Sequence, residues 1–410
     1  MIPEPIYVAR QPVFDRDMDI WGYELLFRHS AQCSTARIDD ADEATSRVIA
    51  DGFGLVEDLL APSQKVLINY PGRMLVQGAP RALPSDVAIV EILETVQPTP
   101  EILRICAQLK AEGYVLALDD FVGQSGFEAL LQLADLVKVD VLYLNYEQLK
   151  AVVGNLRRIE NCRLLAEKVE DLAMYDQCRE LGFDLFQGYF FSRPELVSGK
   201  KLSANQISKL QLLKELSAPD LELIQVAKIV QHDVALSYRL LRYINSPGFG
   251  LPNEITSINQ AMNLLGQRKV TAWLRVLIMA EMKTNPLSGE LLFLSLQRAK
   301  LLEALQDAGT PSRLSSEGMF LLGLFSFLDV ILGLPMNDIL ARLSLGPCLK
   351  AALLGRDAEL QAWLDLAEAC ERGNWDKAEA LLKGMNLGTE QTAKILNESA
   401  LWAKQFLDVS

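Results

Sequence analysis

Along the first half of the chain, short apolar runs alternate with longer amphipathic stretches, and the apolar runs finish on a carboxylate or an amide. They are KVLIN ending at Asn69, VAIVE at Glu91, YVLALDD at Asp119 and Asp120, LVKVD at Asp140 and RLLAE at Glu167, with FQ at Gln187 as a weaker last case. Their ends recur every 20 to 30 residues or so, about the length of a strand-helix unit in a parallel sheet. Between them lie helical stretches such as PEILRICAQLKAEG, opened by Pro100 and closed by Gly113.

A fully buried parallel strand reads as a near-continuous apolar run, and a polar residue at its C-terminal end faces the side where barrel sites form. Any one of these carboxylates equally well caps a helix or ends a strand at the surface. The whole series predicts a TIM-like α/β barrel with a polar, acidic mouth. From about residue 200 the strand signal fades. ISKLQLLKEL, LSYRLLRYI, INQAMNLLG and VTAWLRVLIMAEM carry a helical period instead, so the second half is expected to be all-α. The polar junction ELVSGKKLSANQ, with Gly199, divides a barrel domain over 1–197 from a helical domain over 198–410.

A length of 410 residues agrees with two domains. The net charge of -13 argues against nucleic acid as a partner, because no overall positive field draws in a polyanion. The first residues, MIPEPIYVARQPVF, do not read as a secretory signal. The longest apolar run, Met319 to Leu334, contains Asp329 and stops at Pro335, short of the roughly 20 residues that span a bilayer. A cytoplasmic protein without a membrane segment is expected. Cysteines at 33, 106, 162, 178, 348 and 370 form no CxxC pair, which argues against zinc and disulfides and for buried thiols.

Carboxylates gathered at one barrel mouth repel one another unless cations neutralise them, and oxygen donors of this kind favour magnesium or manganese. Two such ions activate a water and stabilise both oxygens of an in-line displacement at phosphorus. Lys138, in the run KVD that ends at Asp140, adds a positive charge beside the attacking water. The residue types thus suggest phosphodiester hydrolysis.

The order Gly-Tyr-Glu24-Leu25-Leu26-Phe27-Arg28, Ile-Asn69, Val-Glu91-Ile-Leu-Glu94, Leu-Asp119-Asp120-Phe121, Lys138-Val-Asp140, Ala-Glu167-Lys-Val-Glu170 and Gln187-Gly-Tyr-Phe-Phe-Ser-Arg-Pro194 resembles an EAL phosphodiesterase domain over most of residues 5 to 195. The resemblance implies cyclic di-GMP as ligand and Mg2+ or Mn2+ as cofactor. It implies that Glu24, Asn69, Glu91 and Asp119 hold one metal and that Asp119 and Asp120 help hold the second. Arg28 would contact a ligand phosphate, with Asp140 and Gln187 on the substrate side. Lys138 would assist the water, and Glu167 would act as general base or metal neighbour. Glu94 and Glu170 would support the loop after the Asp pair. EAL-like barrels often pair through the region around that loop, which leaves a homodimer open.

In that loop the sequence departs from the family. Where active members have a glycine-threonine-glycine turn, this chain has Val122-Gly123-Gln124-Ser125-Gly126-Phe127, and a β-branched residue disfavours positive φ. The loop must take another path. Weak or absent hydrolysis with ligand binding retained is the expectation; the alternative is an active metal-dependent phosphodiesterase that yields linear pGpG.

In the second half, VQHDVALSYRLLRYINSPGFGLPNEITSINQAMNLLG resembles the HDOD family, with Asp233, Asn245, Ser246 and Gly266 in its motif positions. His232-Asp233 spells an HD dipeptide, but a metal site of that type needs several histidines and the chain has only His29 and His232. The counterpart of the old HD position is Gly323-Leu324-Phe325-Ser326-Phe327, with Ser and Phe in place of His and Asp. A helical module without chemistry of its own implies binding of a protein partner. Trp363, Trp375 and Trp402 are expected in its core. Taken together, the order resembles the EAL-HDOD family of bacterial signalling proteins, a TIM-like barrel followed by an all-α HDOD-like domain.

Overall fold

Eight strands close into one barrel in sequence order. They are β1 (Ile6–Asp15), β2 (Ile20–His29), β3 (Lys65–Tyr70), β4 (Ala88–Ile92), β5 (Val115–Leu118), β6 (Leu136–Asp140), β7 (Arg163–Glu167) and β8 (Leu185–Gln187). In this computed structural model the described residues are 6–29, 60–190 apart from Pro62, 204–218, 257–281, 288–343 and 345–409, with isolated positions between 221 and 255. The runs singled out by their polar ends, β3 to β8, pair in parallel. β1 runs antiparallel to both β2 and β8, so the barrel has one reversed strand.

Period-two alternation sets the interior. Val13, Leu67, Ile89, Ala117, Leu136, Leu165 and Leu185 form one buried apolar cluster across seven strands. Side chains two positions apart lie on the same face of a strand. The next inward residue towards the mouth is therefore Asn69 after Leu67, Glu91 after Ile89, Asp119 after Ala117, Lys138 after Leu136, Glu167 after Leu165 and Gln187 after Leu185. On the reversed β1 the corresponding residue precedes Val13, and it is Gln11. The register sets Gln11 opposite Glu24, Asn69 opposite Glu91 and Asp140 opposite Glu167, with Lys138 one step lower, opposite Leu165.

Helices cover the strands and are locally well specified. In α1 (Pro100–Ala111) the Thr99 hydroxyl accepts from the Ile102 N–H, Pro100 opens the first turn, and Ile102, Ile105, Cys106 and Leu109 are buried. A reciprocal capping box of Asn145 and Gln148 starts α2 (Tyr146–Leu156). Asp171 caps α3 (Leu172–Leu181), which Gly182 ends at φ 104°.

Two compact units emerge, one of Met1–Arg193 with Leu366–Asn397 and one of Pro194–Asp365 with Glu398–Ser410. Within the second, α4 (Ile258–Glu281) bends at Gly266, followed by α5 (Ser288–Asp307) and α6 (Ser316–Phe325). A Cβ at Gly323 would lie 2.4 Å from the Ala299 nitrogen, so α5 and α6 meet where only glycine fits. The apolar run from Met319 is thus core, divided into α6 and a second short helix, Leu328–Leu332. At the old HD position the Ser326 hydroxyl donates to the Gly323 carbonyl, while Arg298 donates to Ser326 and lies over Phe327. Asn245, a motif residue, clamps Ile255 through both main-chain groups at 2.7 and 2.8 Å. His232, Asp233 and Ser246 lie outside the described residues. Of the three tryptophans expected in the core, Trp363 is buried, whereas Trp375 and Trp402 are half-buried, Trp402 lying edge-on to Phe320 and tilted against Phe406.

α7 (Ala358–Glu371), α8 (Trp375–Gly384) and α9 (Thr389–Val409) complete the chain. The stretch that groups with the barrel holds the end of α7, all of α8 and the start of α9. Among the described residues no helix is long and apolar enough to cross a membrane.

Burial pushes the thiols of Cys106 and Cys162 up to about 11 and those of Cys178 and Cys370 to about 12. In a Cys33→Ser variant, a thiol reagent at pH 8 is therefore expected to label only the half-exposed Cys348 rapidly, with the other four reacting after denaturation. Peptide mapping of the labelled protein reads this out.

Candidate functional site

The inward polar ring of the barrel converges on one ammonium. Lys138 is 1% exposed, and its Nζ lies 3.1 Å from Glu24 Oε2, 2.9 Å from Asp119 Oδ1 and 2.8 Å from Glu167 Oε1, and pairs with Glu91 Oε1. Glu24 also accepts from Asn69 at 3.1 Å and from Gln187 at 2.7 Å. Seven of the sequence-predicted residues are thus in direct contact through Lys138 and Glu24. Gln187 extends the network to Gln11 at 2.9 Å.

Four carboxylates around one ammonium leave charge to be balanced. Burial, reinforced by repulsion from Glu24, holds the Glu91 carboxyl well above its usual range. Burial likewise raises Glu167, to about 8, against the pull of Lys138. Asp119 moves the other way: burial is outweighed by Lys138 and by hydrogen bonds from its neighbours, which lower it. Desolvation would weaken the Lys138 ammonium, but the surrounding carboxylates raise its pKa well above the ordinary lysine value.

Beside this cluster lies a second, more open one. A carboxylate oxygen from each of Glu94, Asp119 and Asp120 falls within 4.8 Å of the others. Lys168 Nζ reaches Asp120 at 3.2 Å and Asp140 at 2.5 Å, and those two acids raise its pKa against partial desolvation. Asp140 Oδ1 accepts from the N–H groups of Leu142 and Tyr143, ordering the turn after β6. Asp120 and Lys168 both adopt left-handed backbone, at φ 43° and 59°. Such non-glycine outliers cluster where a site over-determines the chain. Glu170 is half-buried two residues beyond Lys168. The side chains of Arg28 and His29 lie outside the described residues.

In the loop after Asp119-Asp120 the left-handed backbone falls on glycine. Val122 is not among the positive-φ residues; the left-handed positions pass to Gly123 (φ 90°) and Gly126 (φ 92°). The Val122 N–H is satisfied by Gln124 Oε1 at 2.8 Å, and the Phe121 N–H by the Lys138 carbonyl at 2.9 Å.

The donor set suits a hard divalent cation. Glu91 Oε2, Glu167 Oε2 and Gln187 Oε1 are buried without a hydrogen-bond partner, oxygens that a cation would satisfy. Glu24, Asn69, Glu91 and Asp119 would surround one ion and Asp119, Asp120 and Glu94 a second. Gln11 and Lys168 escaped the sequence reading. Gln11 follows the same two-residue step from Val13, but only on a strand known to be reversed; Lys168 is the direct neighbour of Glu167.

Comparison with known proteins agrees with both halves. The EAL domain family matches residues 77–194 and the HDOD domain family residues 207–332. The chain is 34% identical over 97% of its length to 92% of the Vibrio cholerae protein named cyclic di-GMP phosphodiesterase CdgJ. It is 32% identical over 98% of its length to 99% of the uncharacterized protein YuxH of Bacillus subtilis. Among solved structures, Klebsiella pneumoniae BlrP1, in a calcium and cyclic di-GMP complex, is similar over 47% of this chain and 58% of that one, at 23% identity and a TM-score of 0.40.

Replacing Lys138 with methionine leaves the four carboxylates without their buried counter-charge. The variant is expected to lose about 3–5 kcal/mol of stability and to regain more of it than the wild type on adding Mg2+ or Mn2+. Denaturant unfolding with and without the ion, in both proteins, measures the difference.

Proposed function

Because the chain belongs to the family in which an EAL domain is followed by an HDOD domain, we propose that its barrel binds cyclic di-GMP with divalent metal ions and hydrolyses one phosphodiester bond to release linear pGpG. The observation that carries this reading is the assembly of Glu24, Asn69, Glu91, Asp119 and Glu167 about Lys138 at the barrel mouth. The relative from Vibrio cholerae, named a cyclic di-GMP phosphodiesterase, supports it.

Each residue then has a physical task. Glu24, Asn69, Glu91 and Asp119 hold one Mg2+ or Mn2+, and Asp119 with Asp120 and Glu94 hold the second. Bound divalent ions supply an activated water and charge neutralisation at phosphorus. Lys138 keeps a positive charge beside the attacking water, and Glu167, which burial raises to about 8, is placed to exchange a proton with that water near neutral pH. Gln187 orients Glu24 through their hydrogen bond, Asp140 serves the substrate side, and contact with a ligand phosphate is the role assigned to Arg28. Glu94 and Glu170 flank the loop after the Asp pair.

A second reading, a sensor that binds the nucleotide with little turnover, draws on Val122, which stands where the family's turn has a glycine. The left-handed position lies at Gly123 rather than at residue 122, and a shift of a supporting loop can cost about a hundredfold in rate. In either case the HDOD domain serves as a surface for a protein partner. A homodimer through the altered loop is supported by Leu142, Tyr143 and Tyr146, which are 49%, 74% and 45% exposed near the groove lined by Val122, Gln124 and Leu144.

With purified protein and Mg2+ or Mn2+, cyclic di-GMP is expected to yield the linear dinucleotide, and Glu24→Ala to abolish the product. Tight binding in calcium without product in magnesium or manganese would instead establish the sensor, and absence of both would remove the nucleotide reading.

Metal uptake carries a second signature. Glu91 and Glu167 have raised pKa values in the metal-free protein and must shed protons to coordinate an ion. Metal affinity is therefore expected to increase with pH through the Glu167 value of about 8. Calorimetric titrations of Mg2+ in buffers of different ionisation enthalpy should show proton release at pH 7 that diminishes by pH 9.

A further inference from the structure

The C-terminal stretch Leu366–Asn397 belongs to the same compact unit as the barrel, and the turn between α7 and α8 reaches three strands at its mouth. Gln11 Nε2, on β1, donates to the Arg372 carbonyl at 2.9 Å. The Arg372 guanidinium lies 3.9 Å above the ring of Tyr189, two residues past the end of β8. Gly373 is packed so tightly on β2 that an added Cβ would stand 2.6 Å from Leu26 Cδ1 and 3.0 Å from its Cβ. These three contact points flank Glu24 and Gln187. Gln11, which receives the turn, is itself bonded to Gln187, which is bonded to Glu24.

The turn is built to hold this pose. Gly373 sits at φ 63°, where a side chain is strained. Its N–H donates to the Cys370 carbonyl at 3.2 Å and the Asn374 N–H to the Ala369 carbonyl at 2.8 Å, closing α7. Glu368 fixes Arg372 at 2.7 Å, and the Asn374 side chain caps α8. Across the mouth, the side chains of Asp120 and Lys168 remain 38% and 48% exposed. One side of the site is roofed and the other is open.

We propose that the Arg372–Gly373 turn is an intramolecular cap that competes with the nucleotide for the Gln11, Leu26 and Tyr189 side of the barrel mouth. The inference rests on the nucleotide reading of the barrel. Aromatic faces beside phosphate-binding sites are stacking platforms for bases, and a guanidinium stacks on the same face. With Arg372 on Tyr189 and its carbonyl on Gln11, a ring and an amide that could receive a base are taken. Binding then requires the turn to lift, and the apparent affinity falls by the fraction of molecules in which it is lifted.

The test is an equilibrium titration of the full chain with cyclic di-GMP in calcium. Wild type is compared with Arg372→Ala, which keeps the backbone, with Gly373→Val, which forces the turn from Leu26, and with Lys383→Ala, on an exposed part of α8, as control. Both turn variants are expected to bind about tenfold more tightly, within the usual range of coupling between sites, and Lys383→Ala to match wild type. In the wild type, amide hydrogen exchange over residues 370–376 should quicken when nucleotide saturates the site.

Weaker binding by Arg372→Ala would overturn the cap and make the turn part of the binding surface. Equal binding by all proteins, or unchanged exchange on saturation, would overturn it while leaving the nucleotide reading intact. No binding by any of the four would remove both. Should Gly373→Val fail to fold, Arg372→Ala and the exchange measurement decide.

Discussion

Lys138 carries its ammonium to the one level of the barrel where Glu24, Glu91, Asp119 and Glu167 converge, and the inward ends of four strands would repel one another without it. Two like charges 4 Å apart cost about 4 kcal/mol at the effective dielectric of a protein near its surface, so four in one pocket would rival the stability of a whole domain. The lysine offsets one of the four. Uptake of protons by Glu91 and Glu167 offsets more, which is why those two groups have raised pKa values. The metal-free protein thus holds its site together with a lysine and protons, and both can yield to harder cations.

This arrangement keeps stability and chemistry one residue pair apart. Below lies the apolar cluster from Val13 to Leu185, and the next inward position on each of those strands is polar. The apolar layer closes the barrel by burial and fixes the register. The register in turn places Gln11 opposite Glu24 and Asn69 opposite Glu91, without any loop having to find its place. Loop geometry enters with Asp119, one residue past β5, and governs the second acidic cluster, since Asp120 and Glu94 also lie beyond the strand ends.

Much of this was legible in the sequence because it is periodic. Strand runs ending on Asn69, Glu91, Asp119, Asp140, Glu167 and Gln187 announce a barrel mouth, and the ordered motifs announce the family. The reversal of β1 was not legible, since alternation has no direction, and Gln11 was missed with it. That Val122 departs from the family's glycine was legible, but the placement of left-handed backbone at Gly123 and Gly126 and the contact with Gln124 Oε1 were not. The placement of Arg372 and Gly373 against Gln11 and Leu26 joins positions more than three hundred residues apart. No local pattern encodes such a contact; α7 and α8 look like any amphipathic pair.

Asp120 and Lys168 pair at the open side of the mouth with both backbones left-handed, a conformation that costs side-chain-bearing residues about 1–2 kcal/mol each. Glycine at either place would relieve the strain and remove a charge from the mouth. Lineages drifting under demand for heat resistance alone would therefore be drawn towards glycine at 120 and 168, and lineages that need the site would be held back. The amino acid found at these two places in descendants of this protein is thus a record of which demand was stronger.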